Sequence, residues 1–566
     1  MLTDIKNKIA QKLSPHLDVG DEELASLLEI PKNFQHGDLA LPIFFLAKKL
    51  RKAPPQIAIE ISEKVNALDL PEIESVNALS GFVNFKLKWS FMADNLISAM
   101  QDPLKIGFSK KGVGKTLVID FSSPNVAKRM TVGHLRATVI GQSIYNLAKS
   151  QSYKVIGLNH LGDWGTQFGK LAWAMDNWGS DYSLDSDPMR ALTEMYVRFH
   201  DEAEKNPELE KQGAAYFRRL EAGDENVVQL WKKIVELSMA DYNRLWKLLG
   251  VKHDLVLGES FYNDQLKPTE KLLEDKNLLE ESEGAMVVKL GDDKPPCLIR
   301  KTDGASLYAT RDIASAIYRH DVLKADLNLY VTGQEQTLHF QQVFEVLKKM
   351  GFDWAESCHH ISFGLYRFKD IGKMSTRKGN VIHLEDVLNR AIDTIQKVID
   401  QKNPELVDRK KIAEQVGVGA VIFNDLLNDR TKNVEFDWDR ALSFEGDSGP
   451  YVQYVVVRCK SILRKYNRNL PNKFDVELES PEERELMLKL LSLDEVLVQS
   501  FKGFKPHILA NYLLDVCRVY NQFYHKCRIL DQEESLANAR AKLVEATEVI
   551  LIQGLKILNI QSPEFM

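Results

Sequence analysis

The sequence has no C-x-x-C pair, no run of about eighteen uninterrupted apolar residues and no internal repeat, and each absence removes a class of function. Five cysteines, Cys297, Cys358, Cys459, Cys517 and Cys527, are scattered over 566 residues. Without paired spacing they build neither a disulfide framework nor a zinc knuckle. The nearest metal-like groupings, Cys358-His359-His360 and His525-Lys526-Cys527, place neighbours too close to close a tetrahedral site by themselves, so no protein metal site is expected. The lack of a long apolar run argues against a membrane span. Residues 1–23 carry acids and no apolar signal core, so a cytoplasmic chain is expected. An excess of basic charge is also missing: the net charge is −6 and the pI about 6.2, so a nucleic-acid partner would have to meet a local basic face.

What is present is a globular composition, 44% hydrophobic and 27% charged, on a chain long enough for roughly three to four domains. The first hundred or so residues read as a small α/β unit, with helices over residues 40–50 and 56–67 split by Pro54-Pro55 and a strand over residues 81–87. Thr116-Leu117-Val118-Ile119-Asp120-Phe121 reads as a buried parallel strand. A turn at Ser122-Ser123-Pro124-Asn125, a helix over about 133–149 and a second strand over 153–158 complete a β-α-β opening of a doubly wound sheet. Residues of about 172–290 read as a charged helical insertion, a strand returns at 328–332, and from about 410 the pattern is helical with no further strand of note. Gly112-Val113-Gly114-Lys115-Thr116 imitates the end of a P-loop, but Ser109 stands where its first glycine belongs and the segment enters a strand, not a helix.

Two short stretches carry chemistry. Val132-Gly133-His134-Leu135-Arg136 places a glycine and an imidazole at a helix opening, where amides and dipole favour phosphate. Gly372-Lys373-Met374-Ser375-Thr376-Arg377-Lys378-Gly379-Asn380 places three cations on a glycine-bounded loop suited to a leaving pyrophosphate. Alone, the first is an ordinary helix cap and the second a solvated basic loop. In this order they resemble the paired ATP signatures of class I aminoacyl-tRNA synthetases.

Three more stretches resemble the arginyl-tRNA synthetases: residues 120–128 around Asp120-Phe121-Ser122-Ser123-Pro124-Asn125, residues 159–169 around Gly162-Asp163-Trp164-Gly165, and residues 306–312 ending in Tyr308-Ala309-Thr310-Arg311-Asp312. The likeness runs through Phe436-Asp437-Trp438 and Gly449-Pro450-Tyr451-Val452-Gln453-Tyr454 to Met566. It implies a Rossmann-type doubly wound catalytic domain with helical insertions over 108–405 (insertion about 172–295), a small α/β N-terminal domain over 1–107 that touches tRNA, and an all-α anticodon-binding bundle over 406–566. The implied reaction is arginine plus ATP to arginyl-adenylate, with transfer to the 3′ end of tRNA(Arg), Mg²⁺ on the phosphates, activation that requires tRNA, and a monomeric enzyme. By resemblance Thr131, Gly133, His134 and Lys373 are catalytic, and Gly133, His134, Lys373, Met374 and Ser375 hold ATP. Asp120, Asn125, Tyr308, Asp312 and Gln336 bind arginine, with Asp312 the main guanidinium partner. Tyr451, Tyr454, Arg458, Met566, Phe82 and Asn84 are the implied tRNA contacts. Tyr451, Tyr454 and Arg458 also fit a buried aromatic stripe by spacing alone. One departure stands out, Thr131 where the family usually has His, and it keeps a non-catalytic tRNA-binding paralogue open beside a class I enzyme for another polar amino acid.

Overall fold

The computed structural model describes residues 1–17, 19–31, 33–68, 70–291, 294–300, 308–368, 382–474 and 476–566, the side chain of Phe34 excepted. Two compact units emerge: Met1–Ser109 with Phe444–Ile557 and Gln561–Met566, and Lys110–Ser443 with Leu558–Ile560.

In the first unit, strands β1 (Leu39–Pro42), β2 (Ile73–Leu79) and β3 (Phe82–Leu87) form an antiparallel sheet in the order β1-β3-β2. Ser80 and Gly81, at φ 50° and 85°, make the tight turn between β2 and β3, where two successive left-handed residues match the twist of a hairpin. The helix expected over 40–50 is corrected here: the chain stays extended through Pro42, and only Phe44–Leu50 is helical. Proline lacks the N–H a helix interior needs but is tolerated on an edge strand such as β1. β2 escaped the sequence reading because its outer face carries Glu74, Ser75 and Asn77 and its apolar signal is thin. The later chain contributes helices Gly449–Tyr466, Pro481–Leu491, Leu493–Lys502, Pro506–Lys526 and Glu534–Ile557. Both halves of the unit are tied together by Asp38, 2% exposed, which accepts Arg484 Nε at 2.7 Å and the Leu87 amide at 2.6 Å.

In the second unit, β4 (Thr116–Asp120) is buried along its whole length, as a strand covered on both faces must be. It is followed by the helix Val132–Ser150 and β5 (Lys154–Asn159), then by helices Thr166–Trp178, Pro188–Lys205, Glu208–Glu221 and Glu225–Leu248 before β6 (Leu255–Val256). The stretch read as helical is not wholly so: β7 (Glu280–Ser282) and β8 (Ala285–Val288) fall within it and, with β9 (Cys297–Arg300) just beyond, make a small antiparallel sheet, its strands too short to show an alternation in sequence. With β10 (Leu327–Tyr330) and β11 (Cys358–His360) the main sheet reads β11-β10-β4-β5-β6, all parallel. The connection reverses direction between β4 and β10, where such sheets open a crevice at their carboxyl ends. β12 (Tyr366–Phe368) pairs with β13 (Val434–Phe436), a three-residue strand beyond residue 410 that the helical reading lacked. The P-loop imitation runs straight into β4, as its spacing required.

Candidate active site

Thr131 is the N-cap of helix Val132–Ser150, and its backbone N–H donates to His134 Nδ1 at 2.9 Å while its hydroxyl lies 3.1 Å from the same nitrogen. A ring nitrogen that accepts from an amide carries no proton, so the hydrogen of the neutral ring is on Nε2. Burial pushes the imidazole down to about 4, which keeps it neutral in ordinary buffers. Gly133 is exposed, and a Cβ there would find nothing nearer than the Thr131 hydroxyl at 3.5 Å, so its backbone faces open space.

That space is a cavity of about 390 Å³, a size suited to a nucleotide-scale ligand. Ser122, Asn125, Gly133 and His134 form one wall, and Gly333, Gln336 and residues 363–367 the other. Asn125 is aimed by a close approach: a Cβ on Gly162 would come within 2.1 Å of Asn125 Oδ1, and Val126 N–H bonds the Gly162 carbonyl at 3.0 Å. Ser122 and Ala127 hold φ of 68° and 65° around this turn, left-handed backbone of the sort that accumulates at functional sites.

Lys373, Met374 and Ser375 lie outside the described residues. The chain on both sides of them is placed, however. Before them β12 borders the cavity, and after them Val132 N–H bonds the Ile382 carbonyl at 3.3 Å and Leu384 N–H the Met130 carbonyl at 2.9 Å.

The expected arginine ligands divide. Asn125 and Gln336 face the cavity. Asp120 lies behind it, 6% exposed, accepting Ser123 Oγ at 2.7 Å and Arg319 Nη2 at 2.8 Å. Burial works against this carboxylate, but Arg319 and Ser123 outweigh burial and leave its pKa below the usual value. Asp312, on helix Tyr308–Asp321, accepts His339 Nε2 at 2.5 Å; burial opposes charge on that imidazole, and the carboxylate outweighs it to raise its pKa. Tyr308 opens the same helix and is 64% exposed. Two acids that the sequence reading did not assign to arginine complete the group. Burial pushes Glu259 up to about 7 against the pull of Arg311, whose Nη1 is 3.8 Å away, and the charges of Asp312 and Asp163 push the same way. Asp163 is also raised by burial and accepts Ser260 Oγ at 2.6 Å. The charges of Asp312 and Asp163 both oppose ionisation of Glu259, so the three carboxyls mark a place where an added cation is favoured.

In the other unit, Arg458 lies over the rings of Tyr454 and Tyr524, 4.9 Å and 5.4 Å from their centres, and donates to Asn521 Oδ1 at 2.9 Å; Asn521 in turn donates to the Tyr451 hydroxyl at 2.7 Å. Tyr454 is 38% exposed, so the stripe is a surface shelf and not only core. Phe82 is half-buried, edge-on to Phe44 at 5.2 Å, Asn84 is buried in β3, and Met566 is half-buried.

Comparison with known proteins decides the family. Residues 98–438 match the model for "tRNA synthetases class I (R), catalytic domain", residues 3–87 that for "Arginyl tRNA synthetase N terminal domain", and residues 452–566 that for "DALR anticodon binding domain". The chain belongs to the arginyl-tRNA synthetases. It is 43% identical to an arginine–tRNA ligase of Clostridium perfringens over 100% of both chains, and 44% identical to that of Clostridioides difficile over 99% of both. Its fold matches the arginyl-tRNA synthetase of Thermus thermophilus with a TM-score of 0.84 at 25% identity, covering 100% of each chain. Among the described residues no helix is long and apolar enough to cross a membrane.

Glu259, Arg319 and His339 were not singled out from sequence. Each is a lone polar residue in an ordinary stretch, and its role appears only when the fold brings it to Asp120 or Asp312.

Proposed function

We propose that the cavity beside Gly133 and His134 is where this chain activates arginine. Membership of the family makes the overall reaction the ATP-dependent ligation of arginine to tRNA. ATP would place its phosphates against the Gly133 amide and the Nε2–H of His134, at the positive end of helix Val132–Ser150. Thr131 would act by holding His134, since its amide and hydroxyl both address Nδ1, and Lys373, Met374 and Ser375 would meet the departing pyrophosphate. Among the described residues no group of three or more His, Cys, Asp or Glu could cage a metal ion, so magnesium would arrive with the nucleotide, coordinated by phosphate oxygens and water.

The substrate's guanidinium would sit among Asp312, Glu259 and Tyr308, with Gln336 and Asn125 toward its amino and carboxylate ends. Asp120, already engaged by Arg319, would set the floor from behind. The arginine carboxylate then attacks the ATP α-phosphorus, pyrophosphate leaves, and the terminal ribose hydroxyl of tRNA(Arg) attacks the adenylate carbonyl to release AMP. Tyr451, Tyr454 and Arg458 would hold the anticodon, with Phe82 and Met566 as lesser contacts; the buried Asn84 would act through β3. The enzyme would work as a monomer in the cytoplasm.

The carrying observation is the cluster of carboxylates around Asp312, which suits a planar cation and disfavours an apolar or neutral substrate. Asp312→Asn is expected to raise the arginine KM and lower kcat, by about 3–5 kcal/mol in kcat/KM, while ATP binding persists. Arginine-dependent pyrophosphate exchange with tRNA present measures it, and wild-type values for both constants would defeat the assignment.

A further inference from the structure

We propose that Arg136 is a positioning residue for the nucleotide, a buried guanidinium that fixes the spacing between the two walls of the cavity. The inference rests on placing ATP there. Arg136 follows His134 by two residues on the same helix and is fully buried. Its Nε donates to Asp425 Oδ2 at 3.0 Å, Nη1 to the carbonyls of Gly364 at 2.6 Å and Lys432 at 3.0 Å, and Nη2 to the carbonyl of Arg430 at 3.4 Å.

Those acceptors come from three separate stretches that meet at this one side chain. Gly364 belongs to the cavity wall opposite His134. Arg430 and Lys432 precede β13, which pairs with β12 of that same wall, Tyr366 opposite Val434. Asp425 closes helix Arg409–Leu426. The stretches approach so closely that a Cβ on Gly364 would lie 2.6 Å from the Lys432 carbonyl, and Gly364 N–H itself bonds the Arg430 carbonyl at 2.9 Å. A flat fork with five donors can address a carboxylate and three carbonyls at once; an ammonium cannot reproduce that directionality. Burying an ion pair is a poor route to stability, because packed apolar residues do as well. What the fork adds is direction: it sets where the Gly364 wall stands relative to the turn that carries Gly133 and His134.

Arginine is held in this reading by Glu259, Tyr308 and Asp312 at its guanidinium and by Asn125 and Gln336 at its other end, and the guanidinium of Arg136 donates to none of the five. A residue that sets the nucleotide wall should therefore separate the two substrates. Full-length Arg136→Lys, with active sites counted by titration, is expected to lose at least tenfold in kcat/KM for ATP while the arginine KM changes less than twofold. Asp425→Asn, which keeps the carbonyl contacts but loses the charge partner, should show a smaller loss of the same kind and carries the test if Arg136→Lys does not fold. His134→Ala is run beside them. If it is impaired for ATP and the folded clasp variants are not, or if they lose equally for ATP and arginine, the positioning role is overturned. If His134→Ala also keeps wild-type kcat/KM for ATP, the cavity is not the nucleotide site and the reading beneath this inference fails with it.

Discussion

His134 donates from Nε2 because its other nitrogen is occupied, and that assignment can be tested by substitution. Glutamine can place an N–H near the Nε2 position, whereas alanine cannot. His134→Gln is expected to keep more activity than His134→Ala, which should lose about 10²-fold in kcat, the usual effect of removing one donor aimed at developing charge. Since burial holds the imidazole at about 4, no fall in kcat between pH 8 and 6 should trace to this residue; a step near 6.5 that vanishes in His134→Gln would contradict the neutral-donor reading. Glu259 behaves oppositely. With its pKa about 7 in the free protein, it is partly protonated at neutral pH, and a bound guanidinium favours the ionised form. The arginine KM should therefore rise as pH drops below 7, by up to tenfold per unit for one linked proton, and Glu259→Gln should flatten that dependence. A wild-type arginine KM that is level from pH 6 to 8.5 would remove Glu259 from the pocket.

Helix Gly449–Tyr466 shows how one element can satisfy two readings. Val452, Val455, Val456 and Cys459 face the core, as a buried stripe requires, while Tyr454 and Arg458 stand on the opposite side with Tyr524. Base stacking on such a shelf contributes about 1–3 kcal/mol per base, so Tyr454→Ala should raise the tRNA KM roughly tenfold and leave the KM for arginine unchanged. An unaltered tRNA KM would return Tyr454 to the role of packing. The β4–helix–β5 opening was legible in the sequence because burial on both faces makes β4 a continuous apolar run and the helix after it is long. β1, β2, β7 and β13 were not: strands of three to seven residues with polar outer faces or a proline leave little periodicity. Of the site, the residues carried by long motifs, Asn125, Gly133 and His134, could be placed beforehand. Glu259 and His339 could not, because their partners are 53 and 27 positions away and nothing local marks them, the first separation being that from Asp312.

Across the whole molecule, the first unit is assembled from both ends of the chain, and Arg484 is its clearest tie. Removing its charge strands the Asp38 carboxylate in a buried site. Arg484→Met is expected to destabilise the first unit by about 3–5 kcal/mol, seen as a lowered urea midpoint, with partial recovery in the Arg484→Met/Asp38→Asn double variant. Full additivity of the two substitutions would mean the pair is not coupled. The same tie sets an order on the ribosome. Asp38 and Arg484 are 446 positions apart, so at about 5–20 residues per second the N-terminal segment emerges roughly 20–90 s before the partner that completes it. By then residues 110–443, which hold nearly all of the second unit, have been made. Nearly all of the second unit can therefore mature first, while the segment translated earliest waits longest with its inner face uncovered.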